Sequence, residues 1–213
     1  MKFKYNQLNL HIFIKSITTV LFLLIVYLIN TIYNSQKNLF EYNMYIIQND
    51  IENNKYEDVL VGTNSHASIF ELLNSKLSKK DINTVNLYTG LCLIKLEMYK
   101  ESLSYLLKVK TKEQLINILL NKLIGDCYTE LKNYDEAIKY FNKSIDIENN
   151  SPKINIDTVY KLALVYEEKE NFTEAYNLLK KYIKKYNKET DISILKNEKK
   201  KIKLILNKLI KKK

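Results

Sequence analysis

Arginine and tryptophan are absent from this 213-residue chain, and it has one proline, three glycines, two cysteines and two histidines. Each shortage excludes something. So little glycine and proline leaves no punctuation for a many-stranded sheet with tight turns. All basic side chains are lysine, so the planar fork that grips phosphate or a base edge with two bonds is missing, which argues against nucleic-acid binding. An AT-rich coding sequence, whose codons favour Lys, Asn, Ile and Tyr, accounts for the same bias. His11 and His66 show no metal-ligand spacing. No glycine-rich phosphate loop and no nucleophile elbow occurs. The residues therefore point to no catalysis, cofactor or metal.

What is abundant is Leu, Ile, Lys, Glu and Asn. Leu, Lys and Glu are strong helix formers, and an all-α chain follows as the expectation. The net charge of +10 is uneven. Residues 1–179 hold 20 Lys against 21 acids, whereas residues 180–213 hold 14 Lys against Glu189, Asp191 and Glu198. The excess belongs to the C-terminal tail.

Ser16 to Gln36, "SITTVLFLLIVYLINTIYNSQ", carries no charged side chain. As a helix these residues span roughly 30 Å, the hydrocarbon thickness of a bilayer. Residues 16–36 are thus predicted to form a transmembrane signal-anchor helix in contact with lipid, after a short basic cytoplasmic segment, 1–15. Lys2, Lys4 and Lys15 precede the span and only Lys37 follows closely. That bias predicts a single pass through the inner membrane with the C-terminal part on the periplasmic side. No small-residue cleavage signal follows the apolar core, so the segment reads as retained.

Small and aromatic residues recur beyond it. "GDCYTELKNYDEAIKYFNKS" places Gly125, Tyr128, Tyr134, Ala137 and Phe141 at offsets that return 35 residues earlier at Gly90, Leu93, Tyr99, Ser102 and Leu106. They return 38 residues later at Ala163, Tyr166, Phe172, Ala175 and Leu179. Such a period marks stacked helical hairpins. The small residues let paired helices approach, the aromatics fill the space beside them, and Leu106, Phe141 and Leu179 are expected against the next hairpin. Residues 83–186 read as three such repeats and residues 37–82 as an irregular helical lead-in unit, with one helix in "LFEYNMYIIQNDI" and another in "SIFELLNSK". In the tail, 187–213, Ile192, Leu195, Ile202, Leu206 and Leu209 approximate one apolar stripe, predicting a basic amphipathic capping helix. Its lysine face reads as solvated, with anionic lipid as the sharper alternative.

The pattern resembles the tetratricopeptide repeat, most closely in "LIGDCYTELKNYDEAIKYFNKSIDIEN". It departs from it at Ser102, in place of alanine, and in lacking a proline at each repeat's end. The fold expected is an all-α, α-solenoid array behind a membrane anchor. The order of parts, with "VNLYTGLCLIKLEMYKESLSYLL" running into "IGDCYTELKNYDEAIKYF", resembles the ancillary SecYEG translocon subunit-like family in its Bacteroidetes-type members. That resemblance implies partners among translocon subunits, envelope chaperones or exported clients. An anchored adaptor for envelope assembly or division, a cytosolic platform of reversed topology and an enzyme using His66 in "GTNSHAS" are the alternatives.

By repeat position the first helices should line a peptide groove with Leu87, Leu91, Lys122, Asp126, Thr129, Tyr160, Leu164 and Glu167. Asp126 stands where the carboxylate-clamp type of repeat carries Asn, and no arginine exists, so a terminal carboxylate is not the expected ligand. A mixed groove suits an amphipathic or extended segment. Cys92 and Cys127, one repeat apart on neighbouring helices, lie too far apart for a usual disulfide and read as buried small apolar groups. An oxidising compartment keeps the disulfide open.

Overall fold

The computed structural model describes residues 2–75, 77–147 and 152–186, together with residues 204, 207 and 210. Among them the chain is helical throughout, with one isolated bridge between Thr63 and His66. The helices are α1 (Lys2–Glu52), α2 (Tyr56–Val61), α3 (Ile69–Leu73), α4 (Lys79–Lys95), α5 (Tyr99–Leu106), α6 (Gln114–Glu130), α7 (Tyr134–Asp146), α8 (Pro152–Glu168) and α9 (Phe172–Tyr186). Of the expected capping helix only Leu204, Asn207 and Ile210 are described, as helical; the apolar stripe lies outside the described residues.

One difference from the sequence reading is the length of α1. The span and the first helix of the lead-in unit are a single helix of 51 residues, roughly 77 Å long at 1.5 Å per residue. No glycine or proline precedes Gly62, so nothing in the backbone interrupts it. Val20 to Ile32 stay exposed, Leu23 at 64% and Ile29 at 61%. The stretch from Thr18 is long and apolar enough to cross a membrane. Among the described residues nothing covers it, unlike the core helix of a soluble protein.

The last turns of α1 behave oppositely. Met44 and Ile47 are buried and, with Phe40 and Ile51 beside them, pack with Val59, Leu60, Ile69, Leu72, Val85, Cys92 and Leu93. Spacings of four, three and four put Phe40, Met44, Ile47 and Ile51 on one face. Ser68 starts α3 as a capping box: its hydroxyl accepts from the Glu71 N–H, and the Glu71 carboxylate accepts from the Ser68 N–H.

Three hairpins follow: α4–α5, α6–α7 and α8–α9. In each, one non-glycine residue turns the chain in the left-handed region: Glu97 (φ 60°), Lys132 (φ 58°) and Glu170 (φ 60°). Their N–H groups donate to Ile94, Thr129 and Glu167 carbonyls, and the next N–H groups reach back five residues to Leu93, Tyr128 and Tyr166. The same turn occurs a fourth time. Asn54 has φ 61°, its N–H donates to Ile51 and that of Lys55 to Asp50. Counting from the turn, Tyr56 matches Tyr99, Tyr134 and Phe172, while Val59 matches Ser102, Ala137 and Ala175. The end of α1 and the short α2 are therefore a clipped hairpin of the same design, and the apolar rod continues directly into it.

Glycine sets the approach of the helices at two places. A Cβ on Gly90 would stand 2.4 Å from Leu106 Cδ2, and one on Gly125 would stand 2.7 Å from Phe141 Cε1. Leu106 and Phe141 thus fold back on their own hairpin as well as joining the next layer, where Leu106 clusters with Leu120 to Cys127 and Phe141 with Val159, Leu162 and Ala163. They serve two hairpins each, rather than the next one alone as their spacing predicts. Ser102, in place of alanine, donates from Oγ to the Gly90 carbonyl at 2.8 Å. The hydroxyl is satisfied at a fully buried crossing. Tyr128, stacked on Tyr140 at 5.6 Å, packs against both of the later core clusters.

Candidate functional site: the face of α4, α6 and α8

Leu87, Leu91, Lys122, Asp126, Thr129, Tyr160, Leu164 and Glu167 are all half-buried. Leu87 and Leu91 of α4 lean on the Leu103–Cys127 cluster, and Tyr160 and Leu164 of α8 lean on the cluster below α8 and α9. Thr129 is not free for a ligand. Its hydroxyl donates to the Gly125 carbonyl at 2.9 Å within α6.

The charged members meet partners that repeat position did not name. Lys122 pairs with Asp157. Lys161 donates to both oxygens of Asp126, each at 2.7 Å. Two residues spaced i, i+4 on α6 thus face two of opposite order on α8, and the four charges cancel. The packing signature steps 38 residues from Gly125 to Ala163, but these pairs step 35, one helical turn less. That shift hid Asp157 and Lys161: alignment by the small residues set Tyr160 and Leu164 opposite Lys122 and Asp126. Matching opposite charges at Lys122, Asp126, Asp157 and Lys161 would have found them.

Electrostatically Asp126 is the stressed member. Burial raises its carboxyl above the usual range, opposed by Lys161 and Lys122 and aided by Asp157. The desolvation outweighs a two-bond lysine contact, so the ionised form is held at a cost. A further pair, Lys169 with Asp135, closes the end of the face near the hairpin turns.

The cysteines are free and buried. Burial pushes the Cys92 thiol up to about 12 and that of Cys127 to about 11, so neither is a nucleophile near neutrality. His66 sits in no open loop: its side chain is buried, with Nε2 3.0 Å from Asp50 Oδ2 and Nδ1 2.8 Å from the Ala67 carbonyl. Lys55 lies 3.5 Å from the other Asp50 oxygen, and Asn43 Oδ1 accepts from the Ala67 N–H. The ring pins the 63–68 loop to α1. Among the described residues no group of three His, Cys, Asp or Glu side chains is placed to hold a metal ion.

No curated protein matches the chain. Repeats stacked in this way present their first helices as an extended surface for other proteins. Residues 115–188, which hold nearly all of α6 to α9 and the paired charges, match the family model of the tetratricopeptide repeat.

Proposed function

We propose that the chain is a membrane-anchored scaffold whose α4–α6–α8 face holds a segment of another protein. In this reading it serves as an accessory of the Sec translocon in the folding of exported proteins. The anchor is α1, crossing the inner membrane at residues 16–36 with the repeats on the periplasmic side. The observation that carries the reading is the neutral double pair, Lys122–Asp157 and Asp126–Lys161, on a half-buried face flanked by Leu87, Leu91, Tyr160 and Leu164. Paired lysines and carboxylates can exchange partners with the backbone and side chains of an extended or amphipathic segment, while the flanking apolar groups take its hydrophobic residues. The lysine bias before the span, and the resemblance in order of parts, support the envelope setting.

Photocrosslinking from position 160 or 87 in intact membranes tests the reading. Translocon subunits, envelope chaperones or exported chains should be captured, and capture should weaken when Lys161 is changed to Glu. Capture of only wall-synthesis or division proteins would replace the translocon assignment by the adaptor reading. A reporter enzyme fused after Lys213 checks the side of the membrane: activity in the cytoplasm would overturn the periplasmic placement.

A further inference from the structure

A second surface, adjoining the paired-charge face at Leu87, lies at the start of α4. A cleft of about 530 Å³ opens between the first turns of α4 and the link from α5 to α6. Leu87, Tyr88, Val109 and Ile116 supply its apolar part, and Lys79, Lys80, Lys110 and Lys112 surround it. All four lysines are exposed. Among the described residues none of the four has a carboxylate within ion-pair distance; the acids at hand are Glu113, which lines the cleft, and Asp81, which receives a hydrogen bond from Ser78 Oγ at 2.7 Å. The cleft is shaped by the chain itself. Asn83 Nδ2 donates to the Lys110 carbonyl at 2.6 Å, and the Lys110 N–H donates to Asn83 Oδ1 at 2.9 Å. This pair of hydrogen bonds holds the two lysine pairs on one rim.

The location of this rim gives it a partner. Lys80 also lines a second hollow, formed by Tyr33, Gln36, Lys37, Phe40 and Glu41 of α1 with Leu77 and Asp81. The uncharged stretch of α1 ends at Gln36. The headgroup layer adds about 5–8 Å on each side of the hydrocarbon, and the five residues from Gln36 to Glu41 advance about 8 Å. Whatever packs beside Tyr33–Glu41 therefore stands at headgroup depth. We infer that Lys79, Lys80, Lys110 and Lys112 form a docking site for anionic lipid headgroups, with Lys37 of α1, paired with Glu41 at 3.7 Å, in the hollow next to Lys80. The site fixes how the repeat stack sits on the bilayer. Lysine, a compact ammonium on a flexible stem, suits such diffuse phosphate contacts better than bidentate recognition. An acidic protein segment would meet the same charge, but it has no reason to approach at the depth where α1 leaves the membrane.

This inference rests on α1 crossing the bilayer. The full chain is placed in nanodiscs of phosphatidylcholine alone, or with one third phosphatidylglycerol by the experimenter's choice of mixture, and lysine acetylation rates are read by mass spectrometry. Each lysine near an anionic surface shifts its exposure about fivefold, so Lys79, Lys80, Lys110 and Lys112 should react several times more slowly in the anionic discs. High salt should remove the protection, and Lys132, in the turn between α6 and α7, should not change. Changing both Lys110→Glu and Lys112→Glu, at exposed positions, should also lower the protection of Lys79 and Lys80. Equal rates in both discs with the chain bound to them would overturn the headgroup site and leave the anchor standing. A chain that elutes free of lipid would overturn the anchor and the site together. Protection by an added polyglutamate peptide but not by phosphatidylglycerol would reassign the cleft to a protein and overturn the inference.

Discussion

At Gly125 two effects of substitution oppose each other. Alanine gains up to about 1 kcal/mol of helix propensity over glycine. Its Cβ, however, would stand 2.7 Å from the ring of Phe141, which has no exposure and no room to retreat. Overpacking of a rigid core costs about 1–3 kcal/mol, so clash wins. Gly125→Ala should lower unfolding free energy by up to about 2 kcal/mol in urea titration, and greater stability would show that the helices are free to separate there. The buried thiols give a second test at this scale. Cys92 and Cys127 keep their protons when folded to about 12 and about 11 against 9.0 for a free thiol. Above pH 9 the unfolded chain loses protons that the folded chain retains, so the folded state loses ground as pH rises. The loss is about 1.4 kcal/mol per thiol for each pH unit between 9 and 11. Denaturant midpoints measured across that range should fall, and less steeply after Cys92→Ala with Cys127→Ala. The 35-residue step from Gly90 to Gly125 is legible in the sequence, because glycine is so rare here that two at one repeat distance stand out. What each faces is not, since Leu106 and Phe141 are only two of many large apolar residues.

At the scale of elements, the hairpins were readable and the joints between them less so. Apolar period and small-residue spacing mark α4 to α9, because close helix packing constrains side-chain volume. The continuity of α1 was hidden because amphipathic patterning changes at Phe40, from apolar on all sides to apolar on one face, and a change of pattern looks like a boundary. The backbone has no reason to break where the solvent changes. The clipped hairpin of α1 and α2 was hidden too, since Ile47 and Val59 stand where Gly125 and Ala137 stand in the most regular hairpin. Between elements, the salt bridges of α6 and α8 carry a prediction. Asp126 has a raised carboxyl despite its lysines. The folded state therefore holds that proton more tightly than the unfolded chain, and stability is lost as pH rises from 3.8 through the raised folded value. Asp126→Asn should leave thermal stability at neutral pH unchanged or higher, while weakening capture of the crosslinked partner. A large loss of stability from that change would mean that the pair is structural and the face has another use.

At the scale of the whole molecule, α1 belongs to two environments. Its first part is exposed apolar rod, and its last turns supply Met44, Ile47 and Asp50 to the folded body. A chain beginning at Asn38 should therefore fold and stay soluble, with circular dichroism matching the helical content of α2 to α9 plus the end of α1. One beginning at Asn53 should strip Met44 and Ile47 from the first cluster, leave His66 without Asp50, and unfold at a temperature lower by more than about ten degrees. A fall of that size is what removal of a buried hydrogen-bonded charge and two core side chains produces in a domain of this length. Equal melting of the two shortened chains would show that the end of α1 only rests on the body.

The turn at Asn54 joins rod to stack without any linker, so the first hairpin inherits the rotational phase of the helix that carries it. A helix advances 100° per residue. Adding a single alanine between Gln36 and Phe40 would swing the whole array by about that angle around the axis of α1 and lift it about 1.5 Å, carrying the lysine rim away from its former bearing. Adding seven would bring the bearing back to within about 20° at a height greater by about 10 Å. Geared in this way, the bearing of the repeat stack about α1 is set by a count of residues, and under the proposed anchoring an insertion series should show partner capture that rises and falls with the period of the helix.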